Sequence, residues 1–111
     1  MHELGLLSGV VDAVSEVAQG RRVIAVALNV GTRSGAVPEA LDGAWPIARL
    51  DSCCAEAALD LTIIPATVWC PHCHREQEID EFFDLRCPVC GTPTADLRHG
   101  REFHIKHIDV E

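Results

Sequence analysis

Much that would assign a function directly is missing from this chain. Basic residues are scarce: 9 Lys and Arg stand against 17 Asp and Glu, a formal net charge of −8. Proteins that grip phosphates normally carry a basic stripe, so a nucleic-acid-binding ribbon is disfavoured. Trp45, Trp69, Phe82, Phe83 and Phe103 are the only aromatic residues, too few to build an aromatic–basic face for single strands. The first residues lack the basic segment, apolar run and small-residue cleavage site of a secretory signal. No apolar stretch approaches the length that spans a bilayer. No nucleophile–base pair stands out, so an enzyme is not expected.

What remains is enough for a small folded protein. At 111 residues and 48% hydrophobic, the chain makes one compact domain, or one small domain plus a smaller module. Six cysteines without an export signal point away from disulfides and towards metal or thiol chemistry in the cytoplasm. The acidic balance favours solubility and suits cation capture.

The spacing predicts a helix over 4–19, where Leu7, Val10, Val11, Val14, Val17 and Ala18 recur at three- and four-residue steps. Gly20 is its natural stop. Gly5 and Gly9 each cost such a helix up to about 1 kcal/mol, which implies a loosely held start or close packing there. The β-branched run 23–30 reads as a strand, and 31–38 as a loop. Pro38 and Glu39 suit a helix start, with Leu41, Ala44, Trp45, Ala48 and Leu50 as its apolar positions. Pro46 lies inside that helix and should kink or shorten it. Residues 59–69 read as one further strand and 92–102 as a polar turn. In 103–111, Phe103 and Ile105 fall on one face but Ile108 and Val110 on the other. That switch suggests a bulged strand, or one covered on both sides.

Two C-x-x-C knuckles carry the strongest chemical signal: Cys70-Pro71-His72-Cys73 and Cys87-Pro88-Val89-Cys90, separated by 13 residues. Each knuckle turns two thiolates to one spot, and Gly91 permits a tight turn after the second. Four sulfurs at tetrahedral positions favour structural zinc, which also supplies folding free energy to a module without its own core. Iron in a rubredoxin-like site uses similar knuckles, whereas a redox dithiol needs one pair and not two. His72 and His74 read as exposed neighbours of the first knuckle. Cys53 and Cys54 behave as small hydrophobes with no assigned role. His99, His104 and His107 form a loose histidine group, and the last two would face opposite ways on a strand.

The opening MHE is a second metal-ligand pattern. Methionine before histidine is expected to be retained, leaving the Met1 α-amine, the His2 amide nitrogen and the His2 imidazole within a few bonds of each other. Three nitrogens pre-joined in small rings suit Ni(II) or Cu(II) in a square plane.

Taken in order, MHE, an apolar helix, LNVGTRSGAVPEAL, a strand ending in WC, the two knuckles and a closing IKHIDVE resemble the HypA/HybF family over Met1 to Glu111. That family consists of nickel metallochaperones that help mature [NiFe] hydrogenases. The resemblance implies an α/β (α+β) fold, with two helices on a three-stranded sheet made by 23–30, 59–68 and 103–110. It implies a nickel-binding domain of 1–68 plus 101–111 and an inserted zinc module of 69–100. By resemblance, His2 is the nickel ligand, and Glu3 joins the same site through its backbone or carboxylate. Cys70, Cys73, Cys87 and Cys90 match the zinc ligands. The implied cofactors are Ni(II) as transient cargo and Zn(II) as a structural ion. The implied partners are a nickel-handling maturation GTPase, the hydrogenase large subunit and urease maturation proteins, with the chain a monomer or weak dimer. Some relatives carry an acidic residue near the position of Val37, where this chain is apolar and Glu39 is the nearest carboxylate. The rival reading is a zinc-ribbon interaction adaptor with no nickel role.

Overall fold

The structure, a computed structural model, describes residues 2–79 and 85–111. Helix α1 (Glu3–Ala18) forms because Leu7, Val10, Val11, Val14 and Ala18 give it one buried stripe. It ends one residue earlier than Gly20 suggests. Gln19 takes the left-handed conformation, φ 50 and ψ 50, and returns its N–H to Ser15. A methyl on Gly9 would meet nothing within 4 Å, so close packing does not explain this glycine's presence in the helix.

Strand β1 (Val23–Gly31) is followed by α2 (Pro38–Ala48) and β2 (Ala58–Ile64). Pro38 occupies the first turn of α2, as expected, and Pro46 sits inside it. Pro46 offers no N–H to the turn before it, and the helix ends at Ala48, short of the expected Leu50. The chain past α2 is fastened by one carbonyl: Ala57 accepts from Trp45 Nε1 at 2.8 Å and from Arg49 Nη1 at 2.9 Å.

The single strand expected over 59–69 is in fact two. Pro65 cannot donate to a ladder, and after it β3 (Thr67–Cys70) belongs to a different sheet from β2. Two short strands not expected from the sequence, β4 (Arg75–Glu78) and β5 (Leu97–His99), flank β3 in the order β4-β3-β5. Both pair antiparallel with it. Strand β6 (Phe103–Val110) closes the other sheet, ordered β2-β1-β6.

Backbone bonds give the directions in that sheet. Val23 N–H reaches Cys53 O and Thr32 N–H reaches Ile64 O, so β1 and β2 advance together with α2 as the crossover. Arg22 O and Gly31 N–H meet Glu111 N–H and Glu102 O, so β6 runs antiparallel to β1. From 22 to 31 and from 102 to 111 is nine residues on each strand. The ladder therefore carries no net inserted residue, and the expected bulge is absent. The apolar side chains of β6 are instead only half-buried on both faces.

The chain divides into two compact units. The first comprises Met1–Asn29, Ala36–Thr62 and His104–Glu111; the second comprises Val30–Gly35 and Ile63–Phe103. The core of the first is Leu7, Val14, Val26, Leu28 and Leu41, each at most 1% exposed. Burying a leucine contributes roughly 1.5–3 kcal/mol, so these few side chains dominate its stability.

Within the second unit, residues 31–33 are tied to both segments that flank the small sheet. Thr32 N–H reaches Ile64 O at 3.0 Å, Arg33 N–H reaches Gly100 O at 2.6 Å, and Gly31 N–H reaches Glu102 O at 2.7 Å. A side chain on Gly31 would meet Gly100 O at 2.1 Å, and one on Gly100, with φ +123°, would meet Ala66 at 2.9 Å. Only glycine permits so close a crossing.

Candidate metal centres

The four knuckle cysteines converge in the second unit. The sulfurs of Cys70, Cys73, Cys87 and Cys90 all lie within 4.8 Å of one another. Cys70 and Cys90 are 3.5 Å apart, and Cys73 and Cys87 are 3.9 Å apart. Strand β3 delivers Cys70, and a bridge between Arg86 and Pro93 closes the loop that presents Cys87 and Cys90.

The two knuckles share one backbone device. His74 N–H bonds to Cys70 O at 2.8 Å, and Gly91 N–H bonds to Cys87 O at 2.8 Å. Each donor is the residue four places after its knuckle's first cysteine, and each is left-handed, with φ 56° at His74 and 75° at Gly91. Glycine adopts that conformation freely, but histidine does so at a cost. The expected role of Gly91 is thus present, and its counterpart in the first knuckle is a residue that sequence reasoning passed over. Both His72 and His74 are placed outside the sulfur group. Both are exposed, as expected.

Thiol chemistry is graded across the cluster. Cys70 and Cys87 are buried, Cys73 is half-buried and Cys90 is exposed. The Thr92 hydroxyl, 3.1 Å from Cys90 Sγ, and the Thr92 backbone bring the Cys90 thiol down to about 6. Hydrogen bonding to Cys90, followed by burial, pushes the Cys73 thiol up to about 12. Four soft donors at tetrahedral spacing fit zinc, with no position left for water.

The N-terminal pattern lies in the first unit. His2 is exposed and caps α1 through its carbonyl, which accepts Leu6 N–H at 3.0 Å. Glu3 points inward instead and is only 9% exposed. Its carboxylate accepts the Val37 backbone N–H at 3.2 Å, and this bond is what chiefly holds the carboxyl below its ordinary range. Val37 is the N-cap of α2, and its own N–H is the one that an N3 glutamate or glutamine accepts in a capping box. Ala40 stands at N3 here, and Glu3 supplies that acceptor from another helix. The Met1 amine expected to complete the chelate lies outside the described residues.

The remaining histidines do not gather. His99 Nδ1 is 2.8 Å from Glu102 Oε2, and its Nε2 is 3.6 Å from Glu76 Oε1. Burial opposes ionisation of Glu102, but His99 and the Gly100 N–H outweigh it and hold the carboxyl below its ordinary range. Asn29 Nδ2 donates to His104 Nε2 at 3.0 Å. His107 lines an apolar cleft of about 220 Å³ with Val14, Val17, Ile105 and Ile108. No membrane-spanning helix is present among the described residues.

Comparison with known proteins follows the same two patterns from end to end. The family described as "Hydrogenase/urease nickel incorporation, metallochaperone, hypA" matches residues 1–110. The chain is 33% identical over 111 residues to hydrogenase maturation factor HypA of Geobacter metallireducens, covering 100% of both chains. It is 34% identical over 113 residues to HypA of Chloroflexus aggregans, covering 99% of each. The solution structure of the Ni metallochaperone HypA from Helicobacter pylori shares the fold, with a TM-score of 0.69 at 20% identity over 99% of this chain and 97% of that one. A second HypA solution structure gives 0.71 at 21% identity, over 100% and 97%. An exposed histidine at the second position, a four-thiol cluster and a match running the length of the chain agree: this protein belongs to the HypA family of nickel-incorporation metallochaperones.

Proposed function

We propose that this chain holds Ni(II) as cargo at its N-terminus and hands it on during [NiFe] hydrogenase maturation. The ligands are the Met1 amine, the His2 amide nitrogen and the His2 imidazole, with Glu3 contributing through its backbone. The observation that carries this reading is the contrast between neighbours: His2 is exposed, whereas the Glu3 carboxylate is already engaged by Val37. Glu3 thereby fixes the base of the chelate and leaves the imidazole accessible. An exposed site exchanges its ion by ligand swap, while an enclosed one would trap it. Delivery, not catalysis, is the role that such a site supports.

Cys70, Cys73, Cys87 and Cys90 would hold Zn(II), which supplies cross-linking and folding free energy to the second unit. The nickel role belongs to residues 1–68 plus 101–111 and the zinc role to residues 69–100, which contain all four knuckle cysteines. The partners of this reading are a nickel-handling GTPase, the hydrogenase large subunit as acceptor, and urease maturation proteins. The work takes place in the cytoplasm, where six free thiols stay reduced. No observation favours the zinc-ribbon adaptor.

The test is a nickel titration of untagged, zinc-loaded protein beside His2→Ala, with both metals counted by elemental analysis. The expected result is one nickel per chain that the variant loses, with zinc unchanged in both. Equal nickel uptake by the two proteins would remove His2 from the mechanism.

A further inference from the structure

Cys53 and Cys54 take no part in either centre described above, yet the fold brings their sulfurs together. Adjacent side chains on a strand point to opposite faces. Here the two cysteines lie instead in the turn between α2 and β2, after the left-handed Asp51 at φ 56°. Ser52 Oγ accepts the Cys54 N–H at 3.0 Å and itself donates to Arg49 O at 2.7 Å. Cys53 O is held by Val23 N–H and Cys54 O by Ala57 N–H. With the turn fixed at these points, the two Sγ atoms stand 4.0 Å apart.

The two thiols differ in access. Cys54 is fully buried, whereas Cys53 is half-buried and lies 3.4 Å from the Ser15 hydroxyl. One sulfur is thus a rigid anchor and the other an entrance. With metal–thiolate bonds of about 2.3 Å, a linear bridge spans about 4.6 Å and a tetrahedral one about 3.8 Å. The observed separation falls between them, so neither thiol has to travel far to share an ion. Two thiolates without nitrogen or carboxylate donors select a soft monovalent cation over nickel or zinc.

We propose that Cys53 and Cys54 form a third metal site, a dithiolate that takes Cu(I). Binding releases both thiol protons and leaves the pair with its ion at a net charge of −1. The site is chemically opposite to the nitrogen chelate at His2, so a thiophilic ion and Ni(II) sort to different parts of one chain. It also offers Cu(I) a place other than the four-thiol cluster.

The experiment is an anaerobic titration of the full, reduced, zinc-loaded chain with Cu(I) against a bicinchoninate competitor, counting copper and zinc per chain. Wild type is expected to hold one copper with its zinc retained. Cys53→Ser, at the more accessible position, is expected to keep its zinc and its melting temperature and to bind copper at least tenfold more weakly. Unchanged copper binding in Cys53→Ser overturns the proposal, as does copper that enters wild type only by displacing zinc. Cys54→Ala tests the buried partner. Should that variant fail to fold, Cys53→Ser alone decides.

Discussion

The Glu3 carboxylate and the Val37 backbone N–H meet at 3.2 Å across 34 residues of chain, so the first turn of α1 caps the start of α2. The N-cap backbone N–H is normally accepted by a glutamate or glutamine at N3 of the same helix, and Ala40 at that position has no acceptor to give. An ionised carboxylate is the stronger acceptor, which explains why the Glu3 carboxyl is held below the usual glutamate range.

A pH dependence follows with a definite sign. A carboxyl whose folded value is depressed adds stability above its unfolded value, about 4.3 for glutamate. That contribution fades as pH falls through the lower folded value. Glu3→Gln should therefore melt at a lower temperature than wild type at neutral pH, with the two curves converging under acid conditions. Thermal melts from pH 7 downwards check this, and parallel curves would rule the interaction out.

Gly9 lies on the exposed side of α1 with open space beside it. Replacing it with alanine removes backbone freedom from the unfolded chain without a clash. Gly9→Ala is expected to raise stability by about 0.5–1 kcal/mol, read as a shift of the urea midpoint at unchanged slope.

Leu41 is fully buried, in α2. Leu41→Ala should cost roughly 2–5 kcal/mol, the range for a large core side chain cut to a methyl. Much of a small domain's total stability would go with it. Denaturant unfolding measures the loss directly.

Gly31 offers the opposite case, since a methyl there meets the Gly100 carbonyl at 2.1 Å. The backbone must separate to accept it, which lengthens the Gly31–Glu102 and Arg33–Gly100 bonds. Gly31→Ala is expected to destabilise by about 1–3 kcal/mol, the scale of overpacking. Hydrogen exchange should quicken at the amides of Gly31 and Arg33 first.

Zinc removal should act unequally. A strong chelator is expected to abolish protection of the β3 and β4 amides, whose strands carry few buried apolar side chains: Val68 is the main one. The helices and β1, with their leucine and valine core, should stay protected. Exchange measured before and after chelation distinguishes this from global unfolding.

Periodicity made α1 legible because Leu7, Val10, Val11 and Val14 repeat at the spacing of one buried helical face, and β1 was legible as a β-branched run between turn residues. The cysteine spacing did the same for the metal cluster. Strands β4 and β5 were not legible: REQE and LRH show no apolar alternation, and only Gln77 among them is buried. Their pairing partner β3 makes them strands. The break at Pro65 was visible as a proline but lay within an otherwise continuous β-rich run. The Glu3–Val37 bond joins residues that no local pattern links, and Thr92 beside Cys90 has no motif of its own.

The strand order β2-β1-β6 places β1 in the middle, between partners from opposite sides of the cysteine module. All four knuckle cysteines precede β6 in the sequence. During synthesis they therefore leave the ribosome before the last strand of that sheet is available. The nascent chain emerges with its thiol module exposed and its α/β sheet still one strand short, so zinc has a head start over completion of the domain that carries His2.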